Sequence, residues 1–330
     1  MAYRRPGLWL AAATLAFLAS AFLLPLAGPA HVDLGRAFAG LSPDQEILFH
    51  TRLPRVLLAL LAGGTLASAG ALFQALLRDA LATPYTLGIS SGASLGAVLA
   101  MSLGWQELLG LPAVWAAAFA GAAAVLALVV AIASEGRRMS SFTLLLSGVT
   151  INSICLALIL TLQYLAGFPQ SIAIVRWLMG GIEAVSYATL AALAAAVLPV
   201  LAWIFLRARQ WNLLAVGEDW AATRGVDTSK ALLAGYLAGS FITGSITALT
   251  GPIGFVGLIV PHALRLKIGA DHRLLIPASF LAGAPFLALC DTLARTALAP
   301  TELPVGVITA MLGGPFFIWL LRSRRRSLWL

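Results

Sequence analysis

Charge is scarce in this sequence. Of its 330 residues only 10% are Asp, Glu, Lys or Arg, against 60% hydrophobic, and the mean hydropathy is +0.94. A soluble fold of that balance would expose large apolar patches and aggregate. The chain therefore reads as a polytopic membrane protein with no room for a sizeable soluble domain. Cysteine is nearly absent: Cys155 and Cys290 both lie inside apolar runs, which argues against a structural disulfide and fits small buried residues. The four histidines, His31, His50, His262 and His272, are scattered without an i, i+4 pair, so no metal site is expected. No Gly-x-x-x-x-Gly-Lys-[Ser/Thr] loop occurs, so the chain does not bind ATP that way. No catalytic triad or carboxylate pair is present, and neither catalytic residues nor a cofactor are assigned. The net charge of +8 is dispersed among apolar runs, a pattern of membrane topology rather than of nucleic-acid binding.

What is present is a series of apolar windows. Hydropathy predicts about ten spans, near 8–28, 53–77, 85–104, 112–133, 143–165, 188–206, 230–250, 253–268, 274–294 and 304–321, within a single transmembrane domain over 1–330. Arg4 and Arg5 precede the first run, which approaches the ~20 residues of a spanning helix rather than the ~7–15 of a signal-peptide core. It is read as a retained helix. With the N-terminus inside, sixteen of the 21 basic residues fall in cytoplasmic segments, leaving Arg36, Arg52, Arg55, Arg176 and Arg295 outside. Both termini are then cytoplasmic. The second and seventh spans open with Leu60-Leu61-Ala62-Gly63 and Leu232-Leu233-Ala234-Gly235 and run in opposite directions. An inverted repeat would give that pattern; chance in a Leu- and Ala-rich chain gives it equally well.

The most informative stretch is Gly251–Arg273, GPIGFVGLIVPHALRLKIGADHR. Gly251, Pro252, Gly254, Gly257 and Pro261 interrupt an otherwise apolar span. Broken spans survive in a membrane only when packed against other helices or lining an aqueous path. Titratable groups inside the spans are almost lacking: Asp291 is the only carboxylate well inside one, and Gln74, Asn152 and Gln163 are read as interhelical hydrogen-bonding groups. Gly88, Gly92 and Gly96 have the spacing that lets helix backbones approach closely.

The longest internal cytoplasmic loop, about 207–229, contains Gly217-Glu218-Asp219-Trp220-Ala221-Ala222-Thr223-Arg224-Gly225. Acids in its first turn and Arg224 in its last match the helix dipole, and Gly225 stands where a left-handed cap belongs. So short a helix is marginal unless it docks on something. From the residues alone, a partner's docking point and a plain interfacial loop helix stand level.

Three blocks of residues resemble one family. The first is Arg52-Leu53-Pro54-Arg55, followed by Gly70-Ala71-Leu72-Phe73-Gln74 and Leu87 to Ala93. The second is Gly251–Arg273. The third is Asp291 to Arg295, followed by Glu302 to Gly306 and Gly313 to Phe317. In this order they are similar to the FecCD-type permeases of type II ABC importers, which take up iron-siderophores, haem and cobalamin. The resemblance implies an all-α subunit of about ten transmembrane helices that pairs with a second copy of itself in the inner membrane. Its partners would be two ABC ATPase subunits on the cytoplasmic face and a periplasmic substrate-binding protein outside. It implies that Gly217–Gly225 couples to the ATPase and that Arg52, Arg55 and Arg295 face acidic residues of the binding protein. The cytoplasmic gate would hold Asp79, Leu81, Ser141 and Phe142. Two departures stand out: the family's usual Asn-Pro-Leu-Ala after Gln74 is Asp79-Ala80-Leu81-Ala82 here, and its small polar pair before the fifth span is Ser141-Phe142. The competing class, an ion-coupled secondary transporter, needs a titratable midplane residue that the sparse charge argues against. A membrane-embedded enzyme needs a reactive cluster that the sequence does not offer.

Overall fold

The computed structural model describes residues 6–85, 87–105, 107–108, 111–133 and 140–324. Arg4, Arg5, Arg137, Arg138, Arg325 and Arg326, on which the expected orientation partly rests, lie outside the described residues. In chain order the helices are α1 (Pro6–Leu23), α2 (Leu34–Phe38), α3 (Leu53–Leu76), α4 (Ile89–Ser102), α5 (Ala113–Ala133), α6 (Ser141–Leu165) and α7 (Phe168–Leu178). They continue with α8 (Tyr187–Leu206), α9 (Ala208–Val216), α10 (Glu218–Thr223), α11 (Thr228–Thr250), α12 (Val256–Ile268), α13 (His272–Thr296) and α14 (Val305–Arg324). A π-helical stretch, Glu46–Arg52, leads into α3, and a two-residue hairpin, Glu107–Leu108 against Leu111–Pro112, leads into α5. Each expected span has its helix, with ends shifted by a few residues. Among the described residues, seven helical segments are long and apolar enough to cross a membrane, while α4 (14 residues) and α12 (13 residues) are short and α14 carries an apolar stretch over Val305–Trp319. Three helices were not expected, α2, α7 and α9.

Local chemistry sets the helix starts. Ser140, Ser186, Asp227 and Asp271 cap α6, α8, α11 and α13, each side chain accepting a backbone N–H two or three residues on. Such caps satisfy donors that the first turn leaves unpaired.

Helix α3 is the hub. Almost all of its apolar window is buried, and α13, α11 and α12 pack around it, whereas α1 and α8 lie at the periphery with most of their surface uncovered. A helix apolar on every side belongs in such a centre. Helix α11 runs antiparallel to α3, since Gly235 meets Leu76 and Gly239 meets Phe73. The glycine spacing in α4 works as a packing device: a Cβ on Gly92 or Gly96 would strike the carbonyl oxygens of Gly121 and Ala117 in α5.

The broken segment is buried in protein. Gly251 (φ +67°) ends α11, Phe255 holds a left-handed conformation (φ +68°), and α12 begins at Val256. The Thr250 carbonyl accepts from the Gly181 N–H at 2.8 Å, and the Gly306 N–H donates to the Gly180 carbonyl at 3.2 Å. Pro261 has no N–H, so the Gly257 carbonyl one turn back lacks its helical donor. Gln74 Nε2 of α3 fills that place at 3.3 Å, while Gln74 Oε1 accepts from Arg265 Nη2 at 2.8 Å. The expected interhelical role of Gln74 is thereby given a specific object.

Candidate functional site

The candidate residues gather at opposite ends of the helical bundle. At one end, Arg55 of α3 makes a forked pair with Asp291 of α13: Nε lies 3.2 and 3.1 Å from the two carboxylate oxygens and Nη2 lies 3.0 Å from Oδ1. Its Nη1 donates to Glu302 Oε2 at 2.9 Å. Arg295 Nε stands 3.8 Å from Asp291 Oδ2, and its Nη2 donates to the Leu24 carbonyl at 3.0 Å. Arg52 donates to the carbonyls of Leu26 and Ala30. Arg52 and Arg295 are only 5% and 3% exposed.

Arg52, Arg55 and Arg295, expected to face acidic residues of a binding protein, each have acceptors within the chain. Their guanidinium groups turn inward, drawn by a buried carboxylate and by the carbonyls of Leu24, Leu26 and Ala30 just beyond α1. Arginine suits both tasks, because its planar fork satisfies carboxylate and carbonyl acceptors together. Asp291 is likewise held in an ion pair and is not a free titratable midplane group. Beside the pair, a groove of about 470 Å³ is lined by Trp115, Arg176, Trp177, Glu183 and Glu302 among others. Arg176, Glu183 and Glu302 are exposed there.

At the other end, the expected helix is present as α10, Glu218–Thr223, with Gly217 before it and Gly225 (φ +81°) closing it. Its faces differ. Ala221 is fully buried, while Asp219, Trp220, Ala222, Thr223 and Arg224 are exposed. The Arg224 guanidinium lies 4.9 Å from the Trp220 ring centroid, a cation–π contact that stiffens the exposed face. The loop around it contains more structure than expected. Helix α9 buries Trp211 and Leu214, and Asn212 ties it to α13, donating to Asp271 Oδ1 at 2.7 Å and accepting from the His272 N–H at 2.8 Å. Hydrogen bonding from Arg273 foremost, opposed by some burial and aided by Asn212, holds the Asp271 carboxyl well below the usual carboxylate range. A lowered folded-state value means the tie is complete at neutral pH and is lost only as pH falls into strong acid.

Of the four residues expected at a gate, Ser141 touches α10 through Glu218. Asp79 Oδ1 accepts from the Leu81 N–H at 2.8 Å, fixing a turn that leaves Leu81 exposed. Ser141, first residue of α6, is buried, and Phe142 next to it is 71% exposed. Glu218 joins these pieces: its Oε1 accepts from Ser141 Oγ at 2.7 Å, the Ser141 N–H at 3.3 Å and Arg78 Nη2 at 3.2 Å. Arg78 carries no distinguishing motif. Its left-handed backbone (φ +53°) is not readable from neighbours.

Known proteins share this layout. A solved inward-facing conformation of a metal-chelate type ABC transporter superposes with a TM-score of 0.85 over 95% of this chain and 98% of that one, at 29% identity. The hemin transport system permease protein HmuU of Yersinia pestis is 41% identical over 284 residues, 86% of this chain and 85% of that protein. The vitamin B12 import system permease protein BtuC of Shigella boydii is 40% identical over 323 residues, 96% of each. The model of the FecCD transport family matches residues 12–323, and the chain belongs to the FecCD transport family.

Proposed function

We propose that this chain is the membrane-spanning half of an ATP-driven importer that works as a homodimer and carries a metal chelate, either an iron chelate (a siderophore or haem) or a cobalamin. One observation carries the reading: a chain without a phosphate loop presents a short, rigid, amphipathic helix, α10, with Trp220 and Ala222 facing out at one end of the bundle. Two ATPase subunits bind there, on the cytoplasmic side, and both termini lie on that side of the bacterial inner membrane. The stacking of Lys267 on Trp9, 5.6 Å from the ring centroid, supports that placement of the N-terminus. A periplasmic substrate-binding protein docks at the opposite end, where Arg176, Glu183 and Glu302 are exposed, and the Arg52, Arg55 and Arg295 guanidiniums act as an internal clasp beneath that surface. The relatives' substrates, hemin and vitamin B12, support the substrate class.

Helix α6 supplies the surface for the second copy. Its exposed stripe runs through Phe142, Leu146, Thr150, Ser153, Ala157, Thr161 and Tyr164. Thr150, Ser153 and Thr161 each donate to the carbonyl one turn back, so the stripe is hydroxylated without leaving a polar group unmet. Two such stripes facing each other form a path for a polar chelate, and paired Leu81 and Phe142 close it as an apolar constriction by dewetting.

Purified alone, the chain is expected to hydrolyse no ATP, and in proteoliposomes with its ATPase subunits and a haem- or cobalamin-loaded binding protein it is expected to drive uptake. ATP hydrolysis that follows the pure permease through purification, or uptake powered by a proton or sodium gradient without ATP, overturns the reading. The gate is tested separately. With Cys155 and Cys290 replaced by serine, Leu81→Cys or Phe142→Cys is expected to form a cross-subunit disulfide whose yield changes with nucleotide. No cross-link in any nucleotide state sinks the gate assignment.

A further inference from the structure

We infer that Glu218 is the positioning residue that transmits movement of α10 to the Leu81 and Phe142 strip, by holding the first turn of α6 and the turn after α3 on a single carboxylate oxygen. The inference rests on the reading of α10 as the ATPase contact and adds the route by which that contact reaches the path.

Three donors converge on Glu218 Oε1 from two elements: the hydroxyl and backbone N–H of Ser141 from α6, and Arg78 Nη2 from the turn after α3. The Ser141 N–H is one of the donors that the start of a helix leaves without an intrahelical partner. A carboxylate placed there also meets the positive end of the helix dipole. Arg78 Nη2 reaches Ser141 Oγ as well, at 3.0 Å, so the three side chains form a closed triangle. Charge-assisted bonds of this kind are shorter and stronger than neutral ones, and the 2.7 Å contact has that character.

The geometry makes the triangle a lever rather than a surface ornament. Ser141 is buried, and the side chain of Glu218 is 23% exposed, so the shortest bond is largely shielded from water. Phe142 follows Ser141 directly in the helix. Leu81 follows Arg78 through the turn fixed by Asp79. Arg78 itself holds a left-handed backbone, which a non-glycine residue adopts only when its surroundings enforce it. Glu218 opens α10, directly after Gly217, so any tilt of α10 pulls on Ser141 first. The loop's other tether, Asn212 on Asp271 and His272, anchors α9 to α13.

The experiment uses the full transporter, permease with ATPase subunits, in proteoliposomes. Glu218→Ala is expected to retain co-purification of the ATPase subunits while transport per ATP hydrolysed falls on the order of tenfold, the weight of one hydrogen bond to a charged group. The Leu81→Cys and Phe142→Cys cross-links should then form with a yield that no longer responds to nucleotide. Glu218→Gln, which keeps an acceptor oxygen for Ser141, is expected to lie between wild type and Glu218→Ala. Ser141→Ala should reproduce the loss of nucleotide response, giving an independent variant where Glu218→Ala folds poorly. Normal transport per ATP with nucleotide-sensitive cross-links in Glu218→Ala overturns the inference. So does loss of ATPase subunit binding, which would make Glu218 a docking residue. Failure of the α10 reading itself shows elsewhere, as undisturbed ATPase binding in variants of the exposed residues Trp220 and Ala222.

Discussion

Asp291→Ala is expected to destabilise the folded chain by about 3–5 kcal/mol, the cost of removing one partner from a buried ion pair. The carboxylate is 1% exposed and receives the Arg55 fork, with Arg295 at 3.8 Å on its other side. Without it, two guanidinium groups remain close together in a region that water barely reaches, each with fewer acceptors than donors. Neither can relieve the strain by losing its proton, because arginine stays charged in proteins. Glu302 provides the contrast. It pairs with the same Arg55 but is 45% exposed, so Glu302→Gln should cost no more than about 1 kcal/mol. Replacing the pair together, Arg55→Met with Asp291→Leu, should recover only part of the loss: a buried pair exchanged for well-packed apolar groups is often neutral, but Arg295 still loses its carboxylate. Denaturant titration of the purified chain in detergent micelles measures all three. An Asp291→Ala protein as stable as the wild type would show that water or lipid headgroups solvate the cluster after all.

That cluster marks where the sequence stopped being legible. Arg55 and Asp291 are 236 residues apart, and nothing in spacing or local pattern pairs them. Topology showed these arginines only as basic residues on the outer side, and the acidic partner was implied by the family resemblance alone. The acceptors they use, one carboxylate and the carbonyls of Leu24, Leu26 and Ala30, are visible only once α1, α3 and α13 are packed. Hydropathy located the spans because burial in lipid and burial in this core both demand apolar runs. It missed α2, α7 and α9, which are short and depend on neighbours for their stability. Proline explains more than it foretold. Pro261 was expected to interrupt its span, yet α12 runs through it, because Gln74 of α3 supplies the donor that the proline removes. In α10, by contrast, acids at the start and Gly225 at the end are local signals, and the helix formed where they placed it.

The second large effect is expected on the exposed face of that helix. Ala222→Glu and Trp220→Ala should each weaken association with the ATPase subunits by tenfold or more, on the order of the 1–2 kcal/mol or above that an aromatic anchor contributes at the centre of an interface. Trp220 is 49% exposed in the isolated chain and is stiffened by Arg224, so it reaches an interface with little side-chain entropy left to lose. Ala222 sits beside it with no bulk of its own, and a glutamate there would bring an unpaired charge into the contact. Ala221→Glu gives a different outcome. Ala221 is fully buried against the rest of the chain, so a charge at 221 should unseat α10 itself, lowering thermal stability and breaking the Glu218–Ser141 contact. Co-purification of the ATPase subunits, measured alongside thermal unfolding of each permease variant, separates the two effects. If Trp220→Ala and Ala222→Glu both hold the ATPase subunits as tightly as the wild type, α10 is an interfacial loop helix and the energy for transport enters elsewhere.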